Sequence, residues 1–255
     1  MRLDELTHPE VERRLKAGAV ALWPMGATEA HGPHLPLGTD VFIAEETCRR
    51  VAERAPEVLG LEAVVLPPLA FTITECARPF SGTLSLPRDA VVAYVDAVLA
   101  AATEQGFRSV CLVNAHLEPA HRFALRDAVK AAAARGAPAV LADPCERRWV
   151  RLGTEEFRSG ACHAGRYETS LVLAARPELV DQTTAATLPP AQIDLMGAMK
   201  AGARTFLDMG AEQAYVGAPA EGTAAEGAAS YDTLCHITFE VLKESLASDS
   251  GSNNR

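Results

Sequence analysis

Glu29, His31, His34 and Asp40 fall within twelve residues, in Glu29-Ala-His-Gly-Pro-His-Leu-Pro-Leu-Gly-Thr-Asp40. Two carboxylates and two imidazoles this close supply the mixed oxygen and nitrogen donors that suit zinc, manganese or iron(II), and a carboxylate can bridge two such ions. Gly32, Pro33, Pro36 and Gly38 disfavour a helix or strand here and favour a tight loop that folds its side chains toward one point. A second cluster, Asn114-Ala-His116-Leu-Glu118, gains its value from the first, because a lone histidine after a strand is more often a satisfied core or loop residue. A third, Cys162-His163-Ala-Gly165-Arg-Tyr-Glu168-Thr-Ser170, offers His163 as a general base or acid, since imidazole titrates near neutral pH. Glu168 could be a metal ligand, an acceptor for a ligand histidine, or a charge at a helix N-terminus.

These clusters need elements to bring them together, and the apolar pattern provides them. Ala19–Pro24 reads as a short buried strand running into the Gly- and Pro-rich turn of residues 25–39. Residues 41–55 have helical spacing, with Val41, Ala44, Cys48 and Val51 on one face. Glu62–Leu66 is a second strand, stopped by Pro67-Pro68. A helix over 87–105 follows, then a strand at Ser109–Val113 that ends in Asn-Ala-His. A helix over 119–135, a strand at Ala139–Ala142 and a helix over 166–175 continue the rhythm. Alternating strands and helices predict an α/β fold with a parallel or mixed sheet covered on both faces. In such folds ligands sit at the carboxyl ends of the strands, where the first two clusters lie. Residues 188–226, rich in Ala, Gly and Pro, are expected to supply loops around the site or a subunit contact.

The 255 residues, 48% hydrophobic and 22% charged, suffice for one α/β domain, assigned here to 1–245, with a polar disordered tail at 246–255. A formal net charge of -9 disfavours nucleic acid as a partner. No apolar run approaches the ~20 residues that span a bilayer, and the N-terminal sequence has no signal-peptide pattern. The six cysteines contain no CxxC pair and read as free thiols in a reducing cytoplasm.

The stretch Met25-Gly-Ala-Thr-Glu-Ala-His-Gly-Pro-His-Leu-Pro-Leu-Gly-Thr-Asp40 resembles the signature of the creatininase (creatinine amidohydrolase) family. Phe80-Ser-Gly-Thr83, Asn114-Ala-His116, His163–Ser170, Gly217-Ala-Pro and Thr223-Ala-Ala-Glu-Gly227 match in the family's order, so the resemblance covers about Leu3 to Leu242. It implies a three-layer α/β/α sandwich with a mostly parallel (mixed) sheet, a homo-oligomer, often a hexamer, and a hydrolytic centre of two divalent ions. Zinc is favoured, with manganese or iron(II) as alternatives. By position, Glu29 and His116 would hold one ion, His31 and Glu118 the other, with Asp40 bridging, and His163 and Glu168 would be catalytic. Many members read Asn-Gly-His-Gly-Gly-Asn where this chain has Asn-Ala-His-Leu-Glu-Pro; Glu118 favours the creatininase style of ligation, with Glu168 as its rival.

The implied reaction is hydrolysis of a C–N bond in a small amide or cyclic amide. Peptide trimming or formamide hydrolysis in a biosynthetic pathway, or a non-catalytic metal-binding subunit, are the alternatives. Arg78 or Arg166 is a candidate to orient an anionic substrate group. The pocket-closing tryptophans of creatininase have no clear counterpart: Trp23 lies in a strand, where core packing is the default, and the only other tryptophan is Trp149.

Overall fold

The computed structural model describes residues 1–160 and 162–252, with side chains to residue 247. Its helices are α1 (His8–Lys16), α2 (Thr39–Leu59), α3 (Arg88–Gln105), α4 (Pro119–Ala134), α5 (Arg147–Val150), α6 (Glu155–Ser159), α7 (Arg166–Ala175), α8 (Gln182–Ala185), α9 (Leu195–Lys200) and α10 (Ala224–Ser252). Its strands are β1 (Val20–Met25), β2 (Ala63–Val65), β3 (Val110–Asn114) and β4 (Ala139–Ala142). The tail expected at 246–255 overlaps α10, and its last three residues lie outside those described.

All four strands are parallel, in the order β2-β1-β3-β4. Among the described residues the antiparallel contacts are isolated bridges, such as His163 with Val216. Alternation along β1 divides the core. Ala21 and Trp23 face one side, with Val95 and Leu99 of α3 and Leu125 of α4. Val20 and Leu22 face the other, with Cys48 and Val51 of α2 and Cys235 and Ile237 of α10. The result is three layers, with a sheet whose two central strands are apolar on both faces, as a covered parallel sheet requires.

The strand order fixes where a site can form. From β1 the chain adds β2 on one side and then crosses to add β3 on the other. Connections therefore diverge at the carboxyl ends of β1 and β3, leaving a crevice there. Met25 and Asn114 are register partners at that point. Gly26 continues from β1 so close to α2 that a Cβ there would stand 2.5 Å from the Val41 backbone nitrogen. This contact sets the first turn of α2, and Asp40 with it, over the end of the sheet. Asp40 is thus helical, one residue before the start expected from the apolar spacing, because Gly38 already ends the turn and Phe42 bonds back to its carbonyl.

Helix α7 brings the third cluster in from the side. It packs on α10 at close range: a Cβ on Gly227 would stand 1.9 Å from the Ser170 carbonyl oxygen. A further apolar cluster, containing Cys76, Leu195, Phe206, Met209 and Val216, joins the loop after β2 to residues 195–216 beside the crevice.

Candidate metal centre

Both histidines at the middle of the cluster have one ring nitrogen tied back to the main chain. His31 Nδ1 lies 3.1 Å from the Glu29 carbonyl oxygen, and His116 Nε2 lies 2.9 Å from that of Ile73. A ring nitrogen facing a carbonyl must carry the hydrogen and donate it, so each neutral imidazole presents a lone pair on its other nitrogen. Those two nitrogens face opposite ends of one carboxylate. His31 Nε2 is 3.2 Å from Asp40 Oδ1, and His116 Nδ1 is 2.9 Å from Asp40 Oδ2.

Around this axis the remaining carboxylates divide. Glu29 Oε1 is 3.1 Å from His116 Nδ1 and 3.9 Å from His31 Nε2. Its other oxygen accepts the Thr74 hydroxyl. Glu168 Oε2 is 3.6 Å from His31 Nε2 and accepts the Ala164 N–H at 2.6 Å. Ala164 adopts φ +49°, a left-handed conformation that Glu168 holds from α7. Glu118 precedes α4 and accepts the N–H groups of Glu75 and Cys76, each at 3.1 Å. Three sets of donors lie close enough to share an ion: Glu29, His31 and His163; Glu29, His116 and Glu118; His31, Asp40 and Glu168. The structure therefore groups Glu118 with His116 and Glu29, and gives His31 the company of Glu168. This differs from the pairing of His31 with Glu118 that the family resemblance implies. Two residues after His116, Glu118 remains on that histidine's side of the cluster.

The donor set fits divalent ions on its own geometry. His31 Nε2 and Asp40 Oδ2 are buried and make no hydrogen bond, although each has an oppositely charged or complementary atom near 3 Å. Lone pairs that crowd together without donating to one another are aimed at a common point. Tetrahedral ligands about 2.0–2.1 Å from an ion stand about 3.3 Å apart, close to the separations found here.

Without ions the cluster must hold protons instead. Burial opposes a charge on His31, but Asp40, Glu168 and Glu29 outweigh it and raise its pKa to about 10. Asp40 is held well below the carboxylate range by His31 and His116, against its own burial. Burial pushes Glu168 up to about 7. A histidine raised on folding stabilises fully below its unfolded pKa of ~6.5, and that contribution fades as pH climbs toward the folded value. Metal-free protein should therefore lose thermal stability progressively from about pH 6.5 upward, whereas ions held at His31 would replace its proton. The Tm difference between loaded and chelated protein should widen from pH 6.5 to 9. A constant difference would count against His31 sharing its proton site with an ion.

His163 stands beside this cluster with a different character. Its Nε2 is 2.9 Å from the Ala30 carbonyl oxygen, and its ring lies 4.4 Å from that of His31 and stacks on Phe206 at 4.2 Å. Burial, helped by the charge on His31, lowers its pKa to about 4. Phe206 and Thr74 were not foreshadowed by any motif. Asn114 clamps the same region by donating to the His116 carbonyl and accepting both the His116 N–H and His121 Nε2, whose Nδ1 meets the Thr72 hydroxyl.

Arg78 and Arg166, the expected anion handles, are elsewhere: Arg78 pairs with Glu75, and Arg166 with Glu221 and Glu226, all without lining the pocket over the cluster. Arg122 does line it. Trp23 is core, its indole N–H bonded to the Pro67 carbonyl, and Trp149 lies outside the same pocket. All six cysteines are free, and no helix among the described residues is long and apolar enough to cross a membrane.

A model of the creatininase family, described as creatinine amidohydrolase, matches residues 4–242. The creatinine amidohydrolase of Pseudomonas putida is 32% identical over 206 residues, covering 73% of this chain and 76% of that protein. The mycofactocin precursor peptide peptidase of Mycolicibacterium smegmatis is 31% identical over 210 residues, covering 82% and 78%. Among solved structures, a manganese creatininase superposes with a TM-score of 0.71 at 24% identity, over 96% of this chain and 98% of that one. A creatininase variant of zinc–zinc type gives 0.70 at 24% identity, over 96% and 97%.

Proposed function

The chain belongs to the creatininase family, a metal-dependent hydrolase fold, and from that premise we propose that it cleaves a C–N bond in a small amide or cyclic amide at a centre of two divalent ions. The observation that carries this reading is the Asp40 carboxylate, fully buried, with one oxygen facing each of two histidine nitrogens whose opposite nitrogens are fixed by carbonyls.

In this proposal His116, Glu29 and Glu118 would hold one ion and His31 and Glu168 the other, with Asp40 shared between them. Zinc is the favoured pair, with manganese or iron(II) the alternatives; the donors are compatible with each. Such ions supply Lewis acidity at a carbonyl and lower the pKa of water toward ~7.

The protein's own work is positional. His163, neutral at working pH, keeps its Nε2 hydrogen on the Ala30 carbonyl and so offers Nδ1 as the base. Nδ1 accepts the proton of the attacking water and returns it to the departing nitrogen. Phe206 holds the ring plane by stacking and walls off bulk water. Glu168 fixes the Ala164 backbone next to His163, which ties the base to the same carboxylate that faces His31.

The homo-oligomer expected of the family belongs to this reading as well. Phe71, Leu84 and Leu86 are each more than one-third exposed and line one surface hollow, a suitable apolar patch for a subunit contact.

The test is metal analysis of freshly purified protein, paired with a hydrolysis screen of cyclic amides, N-formyl compounds and short peptides before and after chelation. Two ions per chain and chelator-sensitive cleavage of an amide are expected. Cleavage confined to peptides would favour the trimming reading, and a full metal complement without cleavage of any member would favour a non-catalytic subunit.

A further inference from the structure

Arg122 lines the same pocket as Glu29, Asp40 and His163, one helical turn beyond Glu118 on α4. Its guanidinium is locked in place along one edge. Nε donates to both oxygens of Asp143, at 3.1 and 3.0 Å, and Nη2 lies 3.0 Å from Oδ2. Asp143 is itself fully buried. It also accepts Arg126 Nη2 at 2.9 Å and the Cys145 N–H at 3.1 Å. The remaining nitrogen of Arg122, Nη1, has no hydrogen bond or ion pair among the described residues and is not shut away from solvent.

The charge balance gives this nitrogen a purpose. Four carboxylates line the pocket, Glu29, Asp40, Glu118 and Glu168, and two divalent ions would neutralise them. Asp143 is shared between Arg122 and Arg126, and Glu146, which also acts on Arg122, is shared with Arg148, so the pocket edge of the Arg122 guanidinium has no carboxylate of its own. A fixed arginine with one open edge is the geometry that carboxylates bind. Its rigidity also means that little side-chain entropy is lost when a ligand arrives. Leu195, Met196 and Met199, which line the same pocket, are apolar and offer an anion no competing donors.

We propose that Arg122, held by Asp143, is an anion subsite, and that the substrate is an amide carrying a carboxylate at the end remote from the scissile bond. The inference rests on the amidohydrolase reading for the identity of the scissile bond alone; the subsite can be read without turnover. A single open guanidinium edge suits a carboxylate better than a phosphate dianion, which usually takes more donors.

Hydroxamates anchor on a metal pair whatever the natural substrate, so they separate the two questions. With metal-loaded protein, calorimetry would compare acetohydroxamate with malonyl, succinyl and glutaryl monohydroxamates, their methyl esters, and a phosphonate analogue. The expectation is that one free acid binds about 10- to 100-fold more tightly than its ester, the scale of a charge-assisted hydrogen bond. Arg122→Met should erase that difference, and Arg122→Lys should restore part of it. Metal content and acetohydroxamate affinity report whether the centre survives in each variant; Asp143 keeps Arg126 in both.

The proposal fails if acids and esters bind alike at every chain length, or if Arg122→Met keeps the preference. A tighter phosphonate would overturn the carboxylate assignment. A carboxylate preference without cleavage of any amide would instead sink the amidohydrolase reading and leave the subsite standing.

Discussion

Replacing Asp40 with Asn should strip the centre of its ions and abolish turnover. An amide at this position keeps the shape but turns one of the two facing oxygens into a donor, aimed at a ring nitrogen that already offers its lone pair. Either orientation repels an ion on one side and removes the bridge. The fall in kcat/KM should exceed the ~100-fold that losing an outer partner of a metal ligand typically costs. Metal analysis of the dialysed variant gives the direct reading. Retention of two tightly held ions would remove Asp40 from the bridging position. The variant is expected to remain folded, because the Asp40 backbone belongs to α2, whose buried face of Ile43, Ala44, Cys48 and Val51 is untouched.

Replacing His163 with Asn should have the second-largest effect, of another kind. The ions should stay, and kcat should drop by ~10²–10⁴-fold, the range for loss of a general base or acid. KM should change little, because the ring's contacts are with Phe206, His31 and the Ala30 carbonyl. His163 also stands in one of the three donor sets, with Glu29 and His31. Loss of an ion from the variant would therefore reassign His163 from base to ligand, and the paired metal and rate measurements distinguish these roles.

Much of this was legible in the residues themselves. Strand and helix positions followed from apolar spacing, because both faces of β1 and β3 are covered and each helix has one apolar side. Glu29, His31 and Asp40 announced themselves because rigid turns separate them. Which histidine Glu118 and Glu168 each stand beside was not legible: it depends on how α7 approaches across the α2 and α10 layer, a matter of packing such as Gly227 against the Ser170 carbonyl. Arg122 was missed for a related reason. Arg78 and Arg166 sit nearer to motif residues in sequence, yet local glutamates neutralise both, whereas Arg122 reaches the pocket by following Glu118 one turn along α4. Phe206 carries no signal in sequence, since its partner His163 lies 43 positions away and Phe206 is set beside it by a hydrogen bond to Cys76 and packing with Val216.

The apolar cluster that joins Cys76 to residues 195–216 supplies the outer wall of the pocket and none of the proposed ligands. That apolar wall and the proposed ligands thereby lie on separate stretches of chain. Mutations in 195–199 can reshape what enters while Phe206 still stacks on His163, so this lineage can change diet while keeping its engine. Selection for a new substrate should leave its record there, in Met196, Met199 and their neighbours, before it touches any histidine.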